Sequence, residues 1–247
     1  MAKVYLSPAY HKFNPCAVAG CDETTHNNLY LDELEVFLTA CGIEWKRGPR
    51  RVPKSNEDGD VLMRRAVTES DAWGAEVHYV SHTNASTNLS DGVGNGKAQG
   101  YRPIIFQGSQ RGERLALFMT QRRREVYDGQ ISLNRRTDLY ELRMPKAVSY
   151  YEEHVFHDNV DDAQWFHNNL RSVARSAAKG LCDYFNLPFV EPYTVADPPA
   201  EEEVPTETAP LYRVQVGAFR SRSGAEALLR EVRAAGFPNA FIATVEQ

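Results

Sequence analysis

The 247-residue sequence predicts an α/β fold: a mostly parallel, twisted sheet of about six strands with helices on both faces, plus a small C-terminal β-α-β unit. Three observations carry this expectation. Short β-branched or aromatic runs alternate with amphipathic helical stretches through residues 1–190, the order that builds a sheet covered by helices. Gly42, Gly74 and Pro188 stand where helical periodicity stops. A hydrophobic content of 42%, with 11% aromatic residues, is enough apolar material for one proper core.

Val4-Tyr5-Leu6 is a short buried strand ended by Ser7-Pro8, and residues 11–21, with Asn14-Pro15 and Gly20, read as loop. Asp22 caps a helix from Glu23 to Cys41, where Leu31, Leu34, Leu38 and Cys41 recur at steps of three and four. Ile43-Glu44-Trp45 is the next strand, followed by a basic loop (Lys46, Arg47, Arg50, Arg51, Lys54). Asp60 opens a second helix through Trp73. Val77 to Ser81 then alternates as a strand that hands His82 to a polar, Gly-rich loop at 84–100. Pro103 to Phe106 is a strand and Gln110 to Arg124 a helix with Leu115, Phe118 and Met119 inward. Leu139 to Leu142 reads as a short extended piece, Ala147 to Tyr151 as a strand, and Asp161 to Phe185 as a long helix.

Residues 191–210 change character. Pro198, Pro199, Pro205 and Pro210 stand among Glu201, Glu202, Glu203 and Glu207, a composition that extends and repels itself rather than burying a core. Tyr212 to Phe219 again alternates like a strand, Gly224 to Ala235 like a helix, and Ala240 to Ala243 closes the β-α-β unit. Three parts are expected: a main domain at 1–190, a linker at 191–210 and an appendage at 211–247.

A net charge of −5 argues against general nucleic-acid affinity, and no run reaches the ~18 apolar residues of a membrane span. The N-terminus carries one lysine and a short strand in place of a long apolar signal core, so synthesis in a cytoplasm is expected. Cys16, Cys21, Cys41 and Cys182 lack CxxC spacing and are expected as thiols.

His11 follows the first strand, Glu23 opens the first helix, His82 ends the middle strand, and Glu152 and Glu153 end the last. Carboxyl ends of parallel strands share one rim, so these groups can converge. Two histidines and a glutamate with an open position form a zinc set, with a further glutamate as general base and acid. The same residues have plainer roles: Glu23 favours a helix N-terminus, and His11 can be loop surface.

Four stretches sharpen the choice. Leu6-Ser7-Pro8-Ala9-Tyr10-His11, Glu23-Thr24-Thr25-His26-Asn27, Ser81-His82-Thr83-Asn84-Ala85 and Glu153-His154-Val155-Phe156-His157-Asp158-Asn159 resemble, in order, the motifs of zinc-dependent N-acetylmuramoyl-L-alanine amidases. Gly108-Ser109 with Leu115-Ala116 resembles the family's helix start, and the likeness covers residues 3–187. It implies His11, Glu23 and His82 as ligands of Zn2+, Glu153 as the catalytic carboxylate, and peptidoglycan as substrate, cut between muramic acid and L-alanine. This chain has Pro8-Ala9-Tyr10-His11-Lys12 where many members carry P-G-H-G-G, and His26, three residues after Glu23, is the alternative ligand. Glu152 competes with Glu153; only one can face the site, and spacing to Phe156 favours Glu153.

Residues 211–247 resemble the first half of the peptidoglycan-binding SPOR repeat, which implies wall targeting. A half-repeat can pair with a second chain as a homodimer, dock on the main domain, or be a remnant. The resemblance implies cell-wall lysis after release, as a phage endolysin or in sporulating mother-cell lysis. A zinc hydrolase acting on another amide, and an inactive wall-binding protein, remain the rival readings.

Overall fold

The computed structural model describes residues 2–11, 14–18, 21–86, 96–192, 215–234 and 240–244. The chain divides into two units, Met1–Thr194 and Val195–Gln247. The first contains β1 (Lys3–Pro8), α1 (Glu23–Ala40), β2 (Glu44–Arg47), α2 (Val61–Trp73), β3 (Val77–Asn84), β4 (Arg102–Phe106), α3 (Gln110–Arg123), β5 (Asn134–Arg136), α4 (Tyr140–Arg143), β6 (Val148–Phe156) and α5 (Val160–Phe185). The second contributes α6 (Arg222–Ala234).

Six strands form one sheet in the order β2-β1-β3-β6-β4-β5. All neighbours are parallel except β4, which runs antiparallel to β6. Side chains alternate across a strand, and that alternation sorts the sheet into two covered faces. Val4, Leu6, Val77, Tyr79 and Tyr150 meet α1, α3 and α5 in the main core. On the other face Tyr5 packs with Leu62 and Ala66 of α2, and Val80 and Tyr151 pack with Leu142 of α4.

The helix ends follow local chemistry. Asp22 accepts from the Thr25 amide and starts α1, and Gly74 at φ 72° ends α2 in the left-handed region that glycine tolerates. Asn159 accepts from the Asp161 and Asp162 amides to start α5, and Asn186, at φ 56°, ends it.

Several expectations need correction. β1 continues through Ser7 and Pro8, which pair with Val80 and Ser81. The piece expected as extended at 139–142 is the helix α4, because Glu141 and Leu142 must both be buried against neighbouring strands. β5 was not foreseen; Asn134, Arg135 and Arg136 are all exposed and owe their conformation to pairing with β4. In the C-terminal unit, α6 forms, but Gln215–Phe219 and Ala240–Ala243 show no strand pairing among the described residues. A two-stranded ribbon alone is at best marginal in water. The expected linker lies outside the described residues apart from its first two positions, as does most of the Gly-rich loop at 87–95. Among the described residues no helix is long and apolar enough to cross a membrane.

Candidate metal centre

The parallel ladder sets the site. Tyr5, Leu6 and Ser7 of β1 pair with His78, Tyr79 and Val80 of β3, and His82 of β3 is the ladder partner of Glu153 on β6. An irregularity between His82 and Asn84 breaks the register just past His82, the kind of kink that re-aims a side chain at a sheet rim. His82, Tyr151 and Glu153 share the face turned toward α2 and α4, and the His82 ring stacks on Tyr151 at 4.7 Å between centroids.

The first turn of α1 brings in Glu23, 1% exposed. Its Oε1 lies 2.9 Å from His82 Nδ1 and accepts from the Thr83 amide at 3.0 Å. Its Oε2 lies 3.5 Å from His11 Nε2 and accepts from Asn14 Nδ2 at 2.5 Å. His11 is anchored through its carbonyl, which accepts from Thr24 Oγ1 at 3.1 Å, and its ring meets that of His82 edge-on at 5.2 Å. One donor atom from each of His11, Glu23 and His82 falls within 4.8 Å of the others. All three side chains expected from the sequence therefore come together.

The electrostatics agree with a cation-seeking cluster. Burial alone would raise the Glu23 carboxyl, but the hydrogen bond and charge of His82, with His11 behind it, hold it down at about 2. Burial lowers the His82 imidazole, and Glu23 more than reverses this, raising it. For His11 burial prevails over the pull of Glu23 and the value falls. Glu153 is pushed up to about 8 by burial, with His82 opposing and Glu23 adding to the rise. Its Oε2 is buried without a hydrogen-bond partner.

Glu152 points the other way. It is 1% exposed and accepts from Tyr79, Tyr101 and Tyr30, with Arg123 Nη2 at 3.6 Å. That carboxylate belongs to the core network beneath α1 and α3. His26, the alternative ligand, also leaves the centre: its Nε2 lies 3.1 Å from His167 Nδ1 on α5. Asn84 makes local hydrogen bonds, its Oδ1 accepting from the Ala85 amide and its carbonyl from the His157 amide.

Two neighbours were not foreseen as part of the site. His157, which the motifs gave no role at the centre, is 1% exposed; its Nδ1 lies 2.9 Å from Thr83 Oγ1, its Nε2 has no partner, and its charge acts on both Glu23 and His11. Glu141 of α4 is buried, accepts from Ser7 Oγ at 2.6 Å and lies 3.0 Å from His78 Nε2. It lines a cleft with Tyr10, His11, Met63, His82 and Tyr151. The order of motifs around His157 could have pointed to it; a four-residue helix carries too little periodicity to have pointed to Glu141.

The sequence and the fold have known counterparts. The sequence is 25% identical over 185 residues to an N-acetylmuramoyl-L-alanine amidase of Bacillus licheniformis, covering 73% of this chain and 62% of that protein's length. It is 24% identical over 243 residues to the sporulation-specific N-acetylmuramoyl-L-alanine amidase of Bacillus subtilis (strain 168), covering 96% of this chain and 83% of that one. An N-acetylmuramoyl-L-alanine amidase of Nostoc punctiforme superposes with a TM-score of 0.62 at 15% identity, over 75% of this chain and 97% of that one. The catalytic domain of an N-acetylmuramoyl-L-alanine amidase from Bacillus (Paenibacillus) polymyxa var. colistinus gives 0.63 at 15% identity, over 76% and 100%. The SPOR domain matches residues 202–247. In sequence and in its six-stranded α/β fold the chain is thus similar to N-acetylmuramoyl-L-alanine amidase catalytic domains, and its C-terminus matches the SPOR domain.

Proposed function

We propose that this chain is a zinc-dependent N-acetylmuramoyl-L-alanine amidase, hydrolysing the amide between the lactyl group of N-acetylmuramic acid and the L-alanine of the stem peptide in peptidoglycan. The observation that carries the reading is the gathering of His11, Glu23 and His82 donors within 4.8 Å, next to a buried Glu153 whose Oε2 has no partner. Two imidazoles and one carboxylate are a zinc donor set that leaves a position open. Both oxygens of Glu23 are already oriented, one by the Thr83 amide and one by Asn14, which is the outer support such ligands need.

A zinc ion held by these three residues would supply Lewis acidity at the scissile carbonyl and a more acidic water. Glu153 takes the water proton at Oε2 and delivers it to the departing amine of L-alanine. Tyr151 backs the His82 ring, and the cleft along Tyr10, Met63 and Glu141 receives the stem peptide or glycan. In this reading residues 1–190 carry the chemistry, 211–247 hold the chain to the wall, and the enzyme acts after release from the cell that makes it. Its service is wall lysis, in phage release or in freeing a spore.

Digestion of purified peptidoglycan by the zinc-loaded chain tests this. New free amino ends on L-alanine, without new reducing sugar ends, are expected. Reducing ends alone, or no release, would overturn the assignment.

A further inference from the structure

A second group of metal-ligating side chains lies outside the centre just described: Cys21, His26 and His167. One donor atom of each falls within 4.8 Å of the others, and His26 Nε2 and His167 Nδ1 are 3.1 Å apart. The three come from the end of the β1–α1 loop, the first turns of α1 and the third turn of α5, so the group joins parts of the chain distant in sequence. We infer that Cys21, His26 and His167 form a separate zinc site, with three protein ligands and an open fourth position, that ties the β1–α1 loop and the start of α1 to α5.

Three features of the geometry support this. Zinc bonds of about 2.0–2.1 Å to nitrogen and 2.3 Å to sulfur put tetrahedral ligands roughly 3.3–3.8 Å apart. The imidazole pair, 3.1 Å apart, needs to open by only a few tenths of an ångström, and Cys21, within 4.8 Å, to close by at most about 1 Å. His26 is fully buried and fixed, its ring edge-on to Phe166, whereas Cys21 is half-buried and His167 exposed, so the two that must adjust have room. His26 Nδ1 meanwhile lies 3.3 Å from Cys16 Sγ. A proton on Nδ1 donated to that sulfur leaves the Nε2 lone pair free, which is how outer partners set a metal-binding tautomer. The exposed side of His167 leaves the fourth position to water. A thiolate with two imidazoles favours zinc over magnesium or calcium, which prefer oxygen.

The consequence is positional. The loop is tied down at Ala17, whose amide donates to the His157 carbonyl, and at Pro15, bridged to Asp22. An ion on Cys21 and His26 would add a clamp beside Glu23, three residues from His26 on α1. The site shares no residue with the His11, Glu23 and His82 centre, so it stands or falls independently of the proposed hydrolase.

Cobalt separates the two sites, because only this one contains sulfur. The full-length chain, stripped with chelator and reloaded with Co2+, should show a near-ultraviolet thiolate-to-cobalt charge-transfer band. Cys21→Ser and His167→Ala should abolish the band and His82→Ala should leave it; the exposed His167 keeps the test independent of folding. Zinc analysis of His82→Ala should still find bound metal, lost in the His82→Ala/His167→Ala double variant. Absence of the band in wild type, its persistence in both Cys21→Ser and His167→Ala, or its loss in Cys16→Ser alone would overturn the assignment.

Discussion

Exchanging Glu153 for glutamine preserves side-chain shape and removes the proton acceptor. General acid–base groups contribute about 10²- to 10⁴-fold, so the expected loss of turnover corresponds to about 3–5 kcal/mol of barrier. Because Oε2 has no hydrogen-bond partner to lose, folding should barely respond. Glu152→Gln, one residue earlier, should behave in the opposite way. Its carboxylate faces three tyrosines and Arg123, both ion-pair partners being 1% exposed, and glutamine would strand the guanidinium charge in the core. Removing one partner of such a pair costs about 3–5 kcal/mol, or roughly 6–20 °C in melting temperature for a chain of this size. The assays are release of L-alanine amino ends from peptidoglycan, zinc content, and thermal melts followed by circular dichroism. Undiminished turnover in Glu153→Gln, together with a Glu152→Gln protein that folds, binds zinc and is inactive, would refute the assignment of roles.

Other outcomes can be checked directly. Gly180 sits where α5 touches α3, and an added Cβ would come within 2.6 Å of Met119 Sδ and 3.0 Å of its Cα; Gly180→Ala should destabilise by about 1–3 kcal/mol, and an unchanged melt would contradict this packing. Glu125 is held below the ordinary glutamate range by hydrogen bonds from Lys179 and Arg122, linking α3 to α5. A depressed carboxyl stabilises above its unfolded value and loses that contribution as pH falls through its folded value. Glu125→Gln should therefore cost at most about 1 kcal/mol near neutrality in low salt, with the gap to wild type closing in acid; a gap that widens in acid would refute the pairing. Full-length chain should sediment with purified sacculi more completely than residues 1–192, and equal sedimentation would remove wall binding from the C-terminal unit.

What could be read from the sequence was whatever periodicity and punctuation encode. The α1 helix was visible through Leu31, Leu34 and Leu38 and its Asp22 cap, and the convergence of His11, His82 and Glu153 through their places at strand ends. The separation of Glu152 from Glu153 followed from strand alternation, and the two do face opposite sides of the sheet. β5 escaped because an edge strand of Asn134, Arg135 and Arg136 has no apolar alternation to show. The antiparallel run of β4 escaped because strand direction depends on the path between elements rather than on composition. In the sequence His26 stands only as an alternative to His11, because it follows Glu23 by three residues; its partner His167 is 141 residues away, and only the packing of α1 on α5 brings them together.

The order of strands also controls when the centre can exist. β6, which carries Glu153, lies between β3 and β4 in the sheet, so it inserts among strands synthesised before it. His11, Glu23 and His82 leave the ribosome well ahead of Glu153, and parallel pairing over such separations is slow. A growing chain therefore holds the proposed ligands and lacks its proton acceptor until the sheet closes. Hydrolytic competence would arrive as one late event of folding, and a translation product truncated before β6 would be inert toward the wall of the cell producing it.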